Sequence, residues 1–279
     1  MSESTQRANS GSGPVETAIR CRNRLLLVIA AGRPQRGPCR DPAATTLAGI
    51  EWIAFEVAGS GRLGHDGRVK DWVAWHAAYD DPSSPLSARL RCVTSHLRDA
   101  IDQAPPGRVS LVSLCAGQGH DVIGVLPRHP RRDDVRAVLV ESDERNAGLA
   151  RRAAAGQGLA QVEVRQADAS LVASFADVLP ADVLLLCGIF GNVSDRDIKR
   201  AIQAAPALCR ASTTVIWTRH RRPPDLTPQV RAWFAGGGFE EIAFDALQTT
   251  ALTSVGVGRL GRAPAVELPR GRLFTFRSA

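Results

Sequence analysis

Aromatic side chains make up only 5% of this 279-residue chain, which has a single tyrosine and a single methionine. Lysine is nearly absent as well: of 35 basic residues, only Lys70 and Lys199 are lysines. No apolar run approaches the ~20 residues that a membrane-spanning helix needs, so no membrane partner is expected. The run LLLVIAA at 25–31 follows Arg20, Arg22 and Arg24. No small-residue cleavage site comes after it, so it is not read as a secretory signal. The six cysteines form no C-x-x-C pair and show no metal-type spacing with histidine. That argues against a metal site and predicts reduced thiols in a cytoplasmic protein. A hydrophobic share of 44% with 23% charged residues excludes a collagen-like chain, a coiled coil and a wholly disordered one. The net charge of +7 is spread along the chain, so composition gives no case for a nucleic-acid partner.

What is present falls into three stretches. Residues 1–68 are rich in Gly, Pro, Ser and Arg and lack periodicity, which predicts a flexible or poorly ordered N-terminal segment. From Val69 the texture changes. Trp72, Trp75, His76 and Tyr79 recur at helical spacing and share one helix face. Asp80-Asp81-Pro82 ends that helix, a second one follows over 87–101, and Pro105-Pro106-Gly107 closes the segment. Residues 69–107 are thus a helical lead-in or lid to a domain spanning 108–279. There, apolar runs at 109–115, 137–140, 162–164, 182–187 and 213–218 alternate with helical stretches. One of these starts at Ser194 with Asp197 three residues on, a capping pattern. Apolar runs without polar alternation suit parallel strands buried on both faces, and the alternation predicts a doubly wound α/β sheet. After a helix at 227–234 and Gly236-Gly237-Gly238, the runs FEEIAF (239–244) and RLFTFR (272–277) are expected to form an antiparallel pair at the sheet edge.

The segment LVSLCAGQG at 111–119 carries the most chemistry. An apolar strand runs into Gly117-x-Gly119, where residues lacking a side chain let backbone N–H groups approach a ligand. A dinucleotide fingerprint would need a third Gly or Ala at position 122, which is Val122. Three further elements stand in register. Glu141 ends the second strand (AVLVESD) and can accept both hydroxyls of a ribose. Asp168 follows the third (VEVRQADAS), and the fourth runs into Cys187-Gly188 (ADVLLLCGIFGN). All four turns fall at the carboxyl edge of a parallel sheet, where open α/β sheets bind ligands.

On these motifs the chain resembles the class I S-adenosylmethionine-dependent methyltransferases over 69–279. The segments DWVAWHAAYDDPSSPL (71–86) and WTRHRRPPDLTP (217–228) look like a little-characterised actinobacterial branch of that family. The resemblance implies a seven-stranded, mostly parallel Rossmann-like sheet with antiparallel terminal strands, and S-adenosyl-L-methionine as cofactor. It also implies that Ala116, Gly117 and Gly119 lie beside the methionine part and that Glu141 with Ser142 binds the ribose. Asp168 with Ala169 would flank the adenine, and Cys187 with Gly188 would face the sulfonium. The sequence departs from the family pattern at Ser113, where an acid is common, and at Cys115, where the first glycine is common. Asp121 could then take over the cofactor's amino group.

Methyl transfer is an in-line displacement in which alignment and water exclusion can suffice, so a catalytic base is not obligatory. His220, after the fifth strand, is the candidate base. CGIFGN lacks the Asn/Asp-Pro-Pro-aromatic signature of amide or nucleobase methylation, and no acid cluster suits a Mg²⁺-dependent enzyme. A small-molecule acceptor is therefore expected. The His220 loop, with its arginines, and the 72–79 helix are expected to face it, the arginines favouring an anionic group. Two rivals are a nicotinamide-dependent oxidoreductase, disfavoured by Val122, and a cofactor-binding protein without transferase activity, which Ser113 and Cys115 keep open.

Overall fold

A computed structural model describes residues 72–262 and 267–277. The expectation for residues 1–68 lies outside the described residues, as do the side chains of Trp72 and Trp75. The helices are α1 (Trp72–His76), α2 (Pro85–Gln103), α3 (Val122–Val125), α4 (Glu144–Gly156), α5 (Asp195–Leu208) and α6 (Thr227–Gly236). The strands are β1 (Val109–Leu114), β2 (Val135–Glu141), β3 (Val162–Gln166), β4 (Ala181–Leu186), β5 (Cys209–His220), β6 (Phe239–Ala246) and β7 (Thr253–Leu260). They form one seven-stranded sheet in the order β3-β2-β1-β4-β5-β7-β6. The first five strands pair in parallel, and β7 pairs antiparallel with both β5 and β6. Among the described residues, no helix is long and apolar enough to cross a membrane.

The strands carry apolar residues on both faces because both faces are covered. Val112, Leu114, Leu184, Leu186, Val215 and Trp217 pack against Ile198 and Ile202 of α5 and Val230 and Phe234 of α6. The alternate residues Leu111, Leu139, Val183, Leu185 and Ile216 pack against Val93, Leu97 and Ile101 of α2 and Ala147 and Ala150 of α4. Each fully buried leucine contributes roughly 1.5–3 kcal/mol of hydrophobic stabilisation. The helix starts are locally specified. Ser84 caps α2, its Oγ accepting the Ser87 N–H at 3.0 Å, with Pro85 in the first turn. Asp143 caps α4 through the Asn146 N–H at 2.8 Å, and Ser194 caps α5 through the Asp197 N–H at 3.1 Å, as its spacing predicts. Such caps contribute about 1 kcal/mol each.

The seventh strand differs from expectation. RLFTFR at 272–277 makes only isolated bridges, Arg272 to Leu171 and Phe276 to Val193, and straps Leu273 and Phe274 into the core beside α5. The strand is instead Thr253–Leu260, inserted between β5 and β6. Its glycines, Gly256 and Gly258, give it the look of a loop, because glycine weakens a strand. Here Gly256 is a space requirement: a Cβ there would overlap the Trp217 indole across the β5–β7 pair. Trp217 in turn stacks on Phe234, with ring centroids 5.7 Å apart. We therefore expect Gly256→Ala to cost about 1–3 kcal/mol, the usual range for overpacking, and Gly256→Ala combined with Trp217→Leu to cost less than the two singles together. Urea denaturation of the four proteins measures this; strict additivity would refute the steric account.

Candidate functional site

A cavity opens at the carboxyl edge of the parallel strands. The turn after β1 forms one wall. Cys115, Gly117 and Gly119 there adopt φ values of 57°, 57° and 71°. For Gly117 the glycine is required twice: its φ is left-handed, and a Cβ would overlap the His76 imidazole. Cys115 stands in a conformation that costs an L-residue with a side chain roughly 1–2 kcal/mol. A short helix follows this turn, starting at Val122 and capped by Asp121.

Glu141, 5% exposed, anchors the floor. Its Oε2 accepts the Gly117 N–H at 2.8 Å and its Oε1 accepts the Asp143 N–H at 2.8 Å. Burial pushes this carboxyl above the usual range, against the pull of those N–H donors. Burial likewise raises Asp121, opposed by the Val122 N–H, which donates to its Oδ1 at 2.8 Å, and by Arg89. The opposite wall comes from the lead-in segment. Arg89 Nη2 donates to the Tyr79 hydroxyl at 2.8 Å, and the Tyr79 and His120 rings lie 4.7 Å apart. Burial holds His120 below the usual imidazole range, and its Nε2 has no hydrogen-bond partner.

Of the residues singled out in the sequence, Ala116, Gly117, Asp121, Glu141, Cys187 and Gly188 line this cavity. Gly119 sits behind the turn, against Ile123 and Leu139. Ser142, Asp168 and Ala169 fall outside the lining. Asp168 accepts the Ser170 N–H at 2.9 Å and pairs with Arg272 at 2.7 Å. The Ser170 and Arg272 contacts hold its carboxyl low despite partial burial. It stays near enough that its charge and that of Glu141 reinforce the effect of burial in raising the Cys115 thiol. Burial also raises the Cys187 thiol, so neither is a thiolate nucleophile at neutral pH.

His220 lines a second cavity that shares Arg89 and Gly188 with the first. The α1 segment was expected at this mouth, but His76 and Tyr79 line the first cavity, and α2 covers the second through Leu86 and Arg89. Burial, then the charges of Arg222 and Arg219, hold His220 down to about 4, too low for an efficient base at neutral pH in the protein by itself. Sequence reasoning missed Arg89 and Asn192. Arg89 could have been found, since it lies among the buried Leu86, Val93 and Leu97 on one face of α2. Asn192, in an irregular turn, gave no such signal. Elsewhere, ligand atoms of Cys92, His96 and Asp245 lie within 4.8 Å of one another. His96 Nε2 and Asp245 Oδ2, 2.6 Å apart, tie α2 to β6.

Strand order and edge geometry define the class I methyltransferase fold. No protein-family model matches the sequence, and no curated protein matches it. Solved structures share the fold at low identity. An O-methyltransferase family protein from Burkholderia thailandensis is 16% identical, with a TM-score of 0.53, over 69% of this chain and 60% of that one. The match thus spans less than two thirds of the Burkholderia protein. Magnesium protoporphyrin IX methyltransferase from Synechocystis PCC 6803, solved with bound SAM, is 13% identical with a TM-score of 0.53, over 68% and 91% of the two chains. A possible exported protein from Bordetella parapertussis is 16% identical with a TM-score of 0.52, over 69% and 80%.

The lowered His220 gives a pH prediction. Its folded value, about 4, lies below the ordinary imidazole value of 6.5, so as pH falls the unfolded chain takes up the proton first. Its contribution is therefore complete above about pH 6.5 and is lost as pH falls toward 4. Between pH 7 and 4.5 the protein should lose about 2 kcal/mol more than His220→Gln does. Parallel urea titrations that fall together would remove His220 as the cause.

Proposed function

We propose that this protein is an S-adenosylmethionine-dependent methyltransferase of the cytoplasm, with the cofactor in the first cavity and a small-molecule acceptor in the second. The observation that carries the reading is the pair of adjoining cavities at the carboxyl edge of a class I methyltransferase sheet, meeting at Gly188 and Arg89. The residues present fit the cofactor. Asp121 and Arg89 offer one carboxylate and one guanidinium to the same cavity, complementary to the ammonium and carboxylate of an amino-acid group. Glu141 already accepts backbone N–H groups of Gly117, Asp143 and Ser142, and its carboxylate lone-pair capacity beyond these can receive a ribose hydroxyl. Ala116 and Gly117 present backbone rather than bulk, with Gly119 packed behind them, and Cys187 with Gly188 stands at the boundary where the sulfonium would lie. Ser142, Asp168 and Ala169 are assigned to the adenosine rim beyond the lining.

When bound, the cofactor supplies an electrophilic methyl group. The work of the chain is then to orient donor and acceptor and to exclude water. Thr218 positions the boundary turn, its Oγ1 accepting the Gly188 N–H at 2.9 Å. His220, on the acceptor side, would be the group to take a proton from an acceptor, although burial, more than the neighbouring arginines, holds its basicity low.

Isothermal titration with S-adenosylmethionine, and with NAD in parallel, tests the reading. S-adenosylmethionine should bind and NAD should not. Glu141→Ala should weaken binding by about 2–3 kcal/mol, some thirty- to a hundred-fold, while Asp143→Ala, which keeps its backbone N–H, should change it by less than about threefold. NAD binding without S-adenosylmethionine binding, or equal losses in both variants, would overturn it.

A further inference from the structure

The second cavity is built of polar atoms that have nothing to bond to. Among the described residues, seven buried side-chain nitrogen or oxygen atoms lack a hydrogen-bond partner. Four of them belong to residues lining this cavity: Asn192 Oδ1, Arg219 Nε, His220 Nδ1 and Arg222 Nε. Arg219 and Asn192 are each 8% exposed. A buried polar atom left unpaired costs about 1–3 kcal/mol, more when charged, so such a concentration at one cavity calls for a ligand.

The charges give the ligand's sign. Arg89, Arg219 and Arg222 line the cavity, and no described Asp or Glu does. Elsewhere, exposed arginines find carboxylates: Arg165 with Asp177 at 2.6 Å, Arg231 with Glu241 at 2.6 Å, Arg272 with Asp168 at 2.7 Å. Arg219, the more buried cation, is held instead by the Phe190 carbonyl oxygen through Nη1. Arg219 makes no ion pair with a described carboxylate; Asp195 and Asp225 offset its burial only by their more distant charges, and for a buried cation so placed a bound anion is the ordinary remedy. A guanidinium fork also matches the two oxygens of a carboxylate or phosphate.

Resting on the reading of this cavity as the acceptor site, we propose that it takes a small acceptor bearing an oxyanion, a carboxylate or a phosphate monoester, held by Arg219 and Arg222. Asn192 Nδ2 already donates to the Gly188 carbonyl at 2.7 Å, which leaves Oδ1 to accept a hydroxyl or amino proton from the same ligand. A polynucleotide suits the cavity less. Non-specific single-strand sites stack bases on aromatic side chains, and the described lining offers no Phe, Tyr or Trp. A bound oxyanion would also offset the arginine charges that, after burial, hold His220 down to about 4.

The test uses the full chain saturated with S-adenosylhomocysteine and, in parallel, without it. The probes are aromatic and aliphatic carboxylates paired with their carboxamides, phosphate monoesters paired with their alcohols, and a short single-stranded RNA. Thermal-shift hits are followed by calorimetry. Carboxylates or phosphate monoesters should bind about tenfold tighter than their neutral counterparts, and whichever pair shows the preference identifies the oxyanion. Arg222→Gln should reduce that preference to about twofold or less while S-adenosylhomocysteine binds as before. Arg219→Gln should do the same where it folds; Arg222, half-exposed, carries the test if it does not. Equal binding of charged and neutral partners, a preference surviving in Arg222→Gln, binding of RNA alone, or no binding at all would overturn the proposal. Loss of S-adenosylhomocysteine binding with the anion preference intact would instead count against the cofactor reading.

Discussion

The turn after β1 is held by a single buried carboxylate. Glu141 ends the neighbouring strand and reaches across to the Gly117 N–H with one oxygen while the other fixes the Asp143 N–H at the start of α4. The backbone supports the same junction, since the Ala116 N–H donates to the Val140 carbonyl at 3.1 Å. This tie has to hold a turn that would not hold itself, because three of its residues sit at positive φ and one of them is Cys115. The strain at Cys115 falls where the first cavity needs main chain instead of side chain. Backbone strain concentrated at a ligand edge is common in functional sites, and here its compensation can be named.

The second constraint is the antiparallel insertion of β7. With 12 residues, β5 is twice as long as β4, and its last residues pair with β7 alone, Arg219 opposite Ser254 and His220 opposite Thr253. Its carboxyl end therefore projects beyond the parallel strands, and it carries Arg219 and His220 to the mouth of the second cavity. A Cβ at Gly256 would overlap the Trp217 indole, two residues before Arg219 on the same β5–β7 ladder.

Much of this was legible in the chain. The inner parallel strands declare themselves because burial on both faces demands apolar runs, and the cap at Ser194 follows from short-range hydrogen bonding that sequence spacing encodes. β7 was not legible, since Gly256 and Gly258 accommodate aromatic neighbours 39 and 19 positions away along the chain, Trp217 and Phe239, and such long-range fit leaves no local pattern. RLFTFR misled for the converse reason: its apolar residues are buried, but under α5 as a strap and not in the sheet. At the site, the turn residues were readable from strand ends. Arg89 and Asn192 act through tertiary placement, and only the odd position of an arginine on an apolar helix face hinted at the first.

The two cavities differ most in their balance of charge. In the first, Arg89 shares the lining with Asp121 and Glu141, so a cation and carboxylates are provided together. In the second, the same Arg89 is joined by Arg219 and Arg222 with no described carboxylate in the lining. The boundary between them is one turn, fixed by the Gly188 N–H on Thr218 and by Asn192 on the Gly188 carbonyl. Anything bound in the second cavity therefore sits against whatever fills the first, beside arginines of which Arg219 is offset by Asp195 and Asp225 only from outside the lining. Selectivity on this edge would then come from leaving polar groups unpaired until the right partner arrives, since a ligand lacking the anion leaves buried guanidinium nitrogens unsatisfied at a cost of some kcal/mol.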